Sequence, residues 1–265
     1  GLDGWLFTEE EYLAAPGFDA RLTASLDAVA DAQAQLAATG TTLVIALIPD
    51  KARIMSAYQK RPRAPRIEAR YDALLDGMAA RGIQALDLRP ALTQGQSRED
   101  VFLKTDTHWT PAGARVVAET LAPQIRALGL TETEFETQPT ETLAHSGDLM
   151  RYLPLSNPQA AGFPDQDLTR YATVAAGGGL LDGGLFGDAP ALGALIGTSF
   201  SANPNWHFDG WLKQASHIDL LNRADEGQGP FAPMRAYLAD ATAQAENTAQ
   251  LVIWEIPERY TTLDK

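Results

Sequence analysis

Asp106 and His108 stand two residues apart in "LKTDTHWTPAGA", followed by a tryptophan and a helix start. The chain has four histidines. A histidine beside an aspartate in a tight loop is the pair that hydrolases and acyltransferases use, with the imidazole as base and the carboxylate fixing its tautomer. A hydrogen-bonded loop uses the same residues. The chemistry therefore needs a nucleophile from elsewhere. With no cysteine in the chain, thiolate nucleophiles, disulfides and Cys-based metal sites are excluded. Ser199 in "ALIGTSFSANPNWHF" is the candidate: an apolar strand runs into Gly197, Thr198 and Ser199, and a helix follows shortly after. A strand-to-helix turn of this kind projects a hydroxyl and leaves amides to receive an oxyanion. A tight turn with a capping hydroxyl would look the same. Both pieces fall at inferred carboxyl ends of strands, and that coincidence favours a Ser199, His108, Asp106 triad.

Six further residues are candidates to meet the substrate. Trp109 and Trp206 are candidates to line a sugar pocket, whereas Trp211, inside a helix, reads as core. Asn203 can donate to an oxyanion or cap a turn. Lys51, at the end of a strand, can meet a substrate carboxylate or solvent. Arg259 and Tyr260 lie beyond the last strand and are expected to border the site. His145, His207 and His217 raise a metal alternative with Asp106 and His108, but their spacing matches no metal-binding motif and no metal is expected.

These residues need a scaffold. The apolar spacing of Phe18, Leu22, Leu26, Val29, Ala32 and Leu36 predicts a helix over 18–39, and "TLVIALI" at 42–48 has the length of a buried strand. A helix over 66–81, a short strand "IQALDL" at 83–88 and an extended "VFLK" at 101–104 follow. Thr110 then caps a helix that starts at Pro111. Residues 131–190 alternate and are rich in Gly and Pro, and read as an irregular insertion. A strand over 191–197, helices over 206–216 and 230–246, and the strand "AQLVIWEI" complete the alternation. The fold class is α/β, a mainly parallel sheet flanked by helices, in one domain over 1–265.

The 265 residues carry a net charge of −13, which argues against nucleic-acid binding, and no run of residues is long and apolar enough to span a membrane. Yet Lys51, Arg53, Lys60, Arg61, Arg63, Arg66 and Arg70 crowd one stretch. A solvated loop accounts for that; a cradle for an acidic polysaccharide is the functional reading. The chain opens at Gly1 rather than Met, as a processed or trimmed product does.

Taken together, "GLDGWLF", "IPDKARI", "DLRPAL", "FLKTDTHWTPAGA", "SGDLMRYL", "GTSFSANPNWHF" and "VIWEIPERY" resemble the alginate O-acetyltransferases of the AlgJ/AlgX type, whose domain is SGNH-hydrolase-like. The pieces span nearly the whole chain in the family's order. That order is permuted relative to ordinary SGNH hydrolases, which put the serine first. Because the chain ends at "WEIPERY", the resemblance leans to the single-domain AlgJ type. Phe200 and His207 stand where tyrosine and asparagine are expected from it. The resemblance implies Ser199 as nucleophile, His108 as base and Asp106 as its orienter, with no cofactor. It further implies a polysaccharide acceptor, an acetyl group supplied by a membrane-bound O-acyltransferase, and a periplasmic location, with an N-terminal anchor as an option.

Overall fold

The computed structural model describes residues 1–154, 156, 161–176, 192–240 and 249–263. Its centre is a four-stranded parallel sheet of β1 (Thr42–Ile48), β6 (Leu251–Pro257), β4 (Gly193–Ile196) and β5 (Leu220–Asn222), in that order across the sheet. Parallel strands are buried on both faces, so they read as continuous apolar runs and not as alternating ones. In β1, Val44, Ala46 and Ile48 enter one core, while Ile45 and Leu47 enter the other. The first core is covered by α5 (Pro111–Arg126) and α7 (Phe208–Ser216) through Val117, Leu121, Phe208 and Leu212. The second is covered by α1 (Phe18–Ala38), α3 (Pro65–Ala79) and α8 (Phe231–Ala239) through Leu26, Val29, Leu74 and Met234. Each of these large side chains contributes roughly 1.5–3 kcal/mol when fully buried.

The predicted "IQALDL" strand does not form. Residue Ala85 makes a single parallel bridge to Ile45, and the Leu88 amide donates to the Tyr71 hydroxyl (3.3 Å) instead of a neighbouring strand. Helix α4 (Arg89–Gln96) begins one residue later, with Pro90 in its first turn. "VFLK" likewise contributes one antiparallel bridge, Phe102 to Trp109. With Leu103 N donating to His108 O and Thr110 N to Val101 O, that bridge pinches residues 104–107 into a closed loop. The helix predicted from 206 starts at Phe208 because His207 adopts a left-handed conformation (φ 56°). The one predicted over 230–246 is described to Ala239, and positions 241–246 lie outside the described residues.

Within the irregular segment, β2 (Phe135–His145) and β3 (Gln166–Ala175) form an antiparallel hairpin with a register shift between Pro139 and Thr142. Tyr171 packs edge-on to Trp211, and Thr173 Oγ1 lies 2.7 Å from His207 Nε2, which docks the hairpin on α7. Positions 177–190 of the segment lie outside the described residues. Among the described residues, no helix is long and apolar enough to cross a membrane.

Candidate active site

Because the sheet is parallel, its strands deliver their carboxyl ends to one edge, where α/β folds bind ligands. There β4 leads through Gly197 and Thr198 into Ser199, the first residue of the short helix α6 (Ser199–Ala202), and β1 leads through Pro49 and Asp50 into Lys51, the first residue of α2 (Lys51–Ile54). The 3₁₀ turn Glu258–Thr262, which holds Arg259, follows β6. Ser199 Oγ lies 2.7 Å from His108 Nε2, and His108 Nδ1 lies 2.6 Å from Asp106 Oδ1. The imidazole is thus held between hydroxyl and carboxylate in the order that activates a hydroxyl.

Asp106 is almost wholly buried and accepts on both oxygens. Oδ1 takes the His108 amide (2.9 Å) as well as its ring; Oδ2 faces His145 Nε2 (2.9 Å) and accepts from the Asp148 amide (3.0 Å). Burial alone would raise its pKa, but the His108 and His145 hydrogen bonds hold the carboxyl well below the usual carboxylate range. It is therefore a standing negative charge behind the histidine. The turn carrying Asp148 lies directly on the catalytic loop: a Cβ at Gly147 would sit 2.1 Å from Thr105 O. Glycine is required at that crossing. Asp148 in turn accepts from Thr107 N (2.8 Å) and Thr107 Oγ1 (2.7 Å).

The nucleophile turn is braced from beneath by Glu255 on β6. Its Oε2 accepts from Thr198 N (2.7 Å), Thr198 Oγ1 (3.0 Å) and Ser201 Oγ (3.1 Å). Burial pushes this carboxyl up to about 7 in spite of those donors. Gly197 is fixed by the same approach, since a Cβ there would lie 2.5 Å from Glu255 Oε2.

Several expected ligands of the substrate have other duties. Lys51 is 1% exposed and its ammonium donates to Leu6 O (2.7 Å), Lys104 O (3.0 Å) and Asp106 O (2.8 Å). It ties the catalytic loop to the N-terminal segment and does not face a substrate carboxylate. Burial pulls its pKa down, against the pull of Glu11, Asp106 and Asp148. Trp109 and Trp206 are buried and line no sugar pocket. Trp109 Nε1 donates to Phe200 O and Trp206 Nε1 to Ser199 O, each at 3.1 Å, so both indoles pin the nucleophile turn. The Trp206 ring also stacks on His108, with centroids 5.2 Å apart. The Asn203 side-chain carbonyl accepts from the Asn205 amide (3.0 Å), the turn-forming duty. Arg259 lies over the Phe200 ring, which also meets the His108 and Trp109 rings. It borders, with Tyr260, a groove that reaches Thr107.

The predicted cradle is dismantled. Arg53, Arg63 and Arg70 turn inward, with Arg63 and Arg70 both 2.6 Å from Asp50 Oδ2 and Arg53 2.7 Å from Glu258 Oε1. Lys60, Arg61 and Arg66 remain exposed. Of the metal-alternative residues, His207 meets Thr173 and His217 lies 3.6 Å from Glu132, away from the triad. Among the described residues, Asp106, His108 and Asp148 are grouped closely enough to hold an ion, their ligand atoms within 4.8 Å, but Asp106 and His108 are engaged in the relay and Asp148 with Thr107. Asp148 was missed in the sequence, and His145 was raised there only as a possible metal ligand and not as a partner of Asp106. "HSGDL" held the signal, a histidine and an aspartate either side of a glycine that permits close approach.

A parallel sheet with a Ser-His-Asp relay at the carboxyl ends of its strands places the protein among α/β folds built like serine hydrolases. The family model for the SGNH hydrolase-like domain of acetyltransferase AlgX matches residues 1–258, and the chain belongs to that family. It is 41% identical over 273 residues to a probable alginate O-acetylase AlgJ of Pseudomonas aeruginosa, covering 98% of this chain and 69% of the relative. The solved O-acetyltransferase domain of Pseudomonas putida AlgJ superposes with a TM-score of 0.89 at 33% identity, covering 99% of this chain and 91% of that one. Pseudomonas aeruginosa AlgX shares the fold at a TM-score of 0.69 and 22% identity, over 97% of this chain and 59% of that one.

Proposed function

We propose that this chain transfers acetyl groups to hydroxyls of an alginate-like polysaccharide through an acetyl-Ser199 intermediate. The observation that carries the reading is the unbroken relay from Ser199 Oγ through His108 to Asp106, at 2.7 and 2.6 Å. The relatives named for alginate O-acetylation supply the substrate class.

In the first half-reaction His108 Nε2 takes the Ser199 proton as Oγ attacks the acetyl carbonyl of the donor. The tetrahedral oxyanion develops at the start of α6, where the Phe200 amide already donates to Thr198 Oγ1 (3.3 Å) and the Ser201 and Ala202 amides to Thr198 O (2.9 and 2.8 Å), so the oxyanion is assigned to the Ser199 amide. Collapse breaks the bond to the donor's leaving group, which receives the proton from His108. In the second half-reaction His108 takes a proton from a sugar hydroxyl, the hydroxyl oxygen attacks the acetyl-serine carbonyl, and Ser199 recovers its proton. Asp106, held ionised, stabilises the imidazolium formed in each half. Splitting the transfer lets one base serve both steps. The donor is an activated acetyl group delivered by a membrane-bound O-acyltransferase, and the setting is the periplasm, as in the family reading of the sequence.

Intact-mass spectrometry after incubation with a chromogenic acetyl ester, with and without an oligouronate, tests this. The expected result is a transient adduct of about 42 Da, absent in Ser199→Ala, with acetyl appearing on the sugar. Acetate release without sugar acetylation would make the chain an acetyl esterase. An absence of adduct and turnover in both proteins would leave a carbohydrate-binding role in an export complex.

A further inference from the structure

Beside the relay opens a groove of about 490 Å³, lined among others by Phe7, Thr107, Asp148, Tyr152, Arg259 and Tyr260. Its lining residues Thr107 and Asp148 lie 3.4 and 3.8 Å from His108 Nδ1, which sets one end of the groove next to the relay although neither His108 nor Ser199 lines it. Two features of its walls are unexplained by the fold. Arg259 is 3% exposed, yet its Nε has no hydrogen-bond partner. The guanidinium lies over the Phe200 and Tyr260 rings, 5.3 and 4.7 Å from their centres, and its polar contacts are long, Nη1 to Glu11 Oε1 at 3.5 Å and Nη2 to the Tyr260 hydroxyl at 3.4 Å. A buried guanidinium is costly unless its donors are satisfied, and its planar fork suits a carboxylate. The second feature is Tyr152, 68% exposed, with the Arg151 guanidinium 4.9 Å from its ring centre. A large exposed aromatic at a groove mouth invites stacking by an apolar face.

Glu9, Glu10 and Asp148 also line the groove, and Asp148 accepts from Thr107 on both oxygens. The lining thus combines two guanidiniums, Arg151 and Arg259, with the carboxylates of Glu9, Glu10 and Asp148. A uronate residue carries the matching groups, a carboxylate and hydroxyl donors. A neutral sugar carries only the hydroxyls.

We infer that this groove is the acceptor subsite, in which Arg259 binds the carboxylate of a uronate next to the sugar being acetylated while Tyr152 stacks on a pyranose ring. The inference rests on the acetyl-transfer reading above and adds to it how an acidic polymer is told from a neutral one.

The test compares acetyl transfer to an oligouronate and to the same oligosaccharide with its carboxyls reduced to alcohols, as the ratio of kcat/KM within each protein. Wild type is expected to prefer the oligouronate about tenfold or more, the value of a charge-assisted pair. Arg259→Met brings that ratio towards one. Tyr152→Ala, at an exposed position, raises KM for both acceptors and preserves the ratio. Arg259→Lys keeps the charge near Glu11 but loses the fork, and lowers the ratio even where the methionine variant fails to fold. A wild type without preference, or arginine variants that keep it, overturns the subsite while leaving the acetyl transfer intact. An unchanged KM in Tyr152→Ala removes the stacking platform. Acetyl-serine formed but transferred to neither acceptor overturns the transferase reading and the subsite together.

Discussion

His145 Nε2 lies 2.9 Å from Asp106 Oδ2, the oxygen that His108 leaves open, so one buried carboxylate serves two imidazoles. His145 is the last residue of β2, which means the hairpin inserted into the sheet scaffold reaches back to orient the relay. Trp206 meets the His145 ring edge-on and the His108 ring face-on, filling the angle between them. Removing His145 takes one of the two partners from Asp106 Oδ2, leaving only the Asp148 amide there, without touching the hydroxyl or the base. His145→Phe is expected to lower kcat for acetyl-ester turnover about ten- to hundredfold with little change in KM, the effect of a misplaced catalytic group. His145→Gln, which keeps a donor, should recover most of that loss. Steady-state kinetics on the three proteins checks this; equal losses in both variants would mean that the ring only fills space.

Lys51 is the second support of the same loop. Its ammonium replaces water as the donor to three carbonyls, one of them that of Asp106. Lys51→Met leaves Leu6 O and Asp106 O without that donor, at about 1–3 kcal/mol each, while Lys104 O keeps the Leu6 amide (2.8 Å). A loss of several kcal/mol in denaturant unfolding is expected, with activity falling in parallel. A stable variant defective only towards acidic acceptors would return Lys51 to the substrate-binding role expected from the sequence.

The scaffold and relay were legible because they follow from local rules. "TLVIALI" could only be a buried strand, Thr110 and Pro111 mark a helix start, and a strand running into Gly-Thr-Ser fixes where a hydroxyl must emerge. What stayed hidden depends on contacts between distant segments. Nothing near Lys51 in sequence shows that Leu6, Lys104 and Asp106 will present carbonyls to it. Trp109 and Trp206 carry both a ring and an N–H donor, and sequence cannot tell whether the ring meets a sugar or the donor meets the Phe200 and Ser199 carbonyls. "IQALDL" failed as a strand because Tyr71, twelve or more residues away, takes the Leu88 amide.

Glu255 gives a pH dependence of known sign. Burial pushes its carboxyl up to about 7 from an ordinary value of 4.5. Between those limits the folded protein holds a proton that the unfolded chain releases, so this group's contribution is complete below about 4.5 and is lost as pH rises through about 7. The full swing is on the order of 3 kcal/mol. Glu255→Gln cannot titrate. The stability difference between wild type and Glu255→Gln, read from urea unfolding at a series of pH values, should therefore shift in favour of the variant as pH rises across that window. A difference constant in pH would mean the carboxylate is ionised throughout and fully compensated by Thr198 and Ser201.

The basic run from Lys51 to Arg70 looked like a polymer cradle because charge density is all that sequence reports. In the fold Arg63 and Arg70 both approach Asp50 Oδ2 at 2.6 Å, with side chains about 1% exposed, and Glu258 lies within 3.4 Å of each. Two guanidiniums withdrawn from water are tolerated because two carboxylates go in with them; removing one carboxylate leaves an uncompensated buried charge, at about 3–5 kcal/mol. Asp50→Asn should therefore lower the unfolding free energy by that order, and the loss should persist at high salt, since a pair this deep is poorly screened. Polymer binding by the fraction that remains folded should be unaffected, because neither arginine reaches the surface. Denaturation at low and at molar salt, with a sedimentation or gel-shift assay against polyuronate, separates the outcomes. A variant of wild-type stability that no longer binds the polymer would restore the cradle.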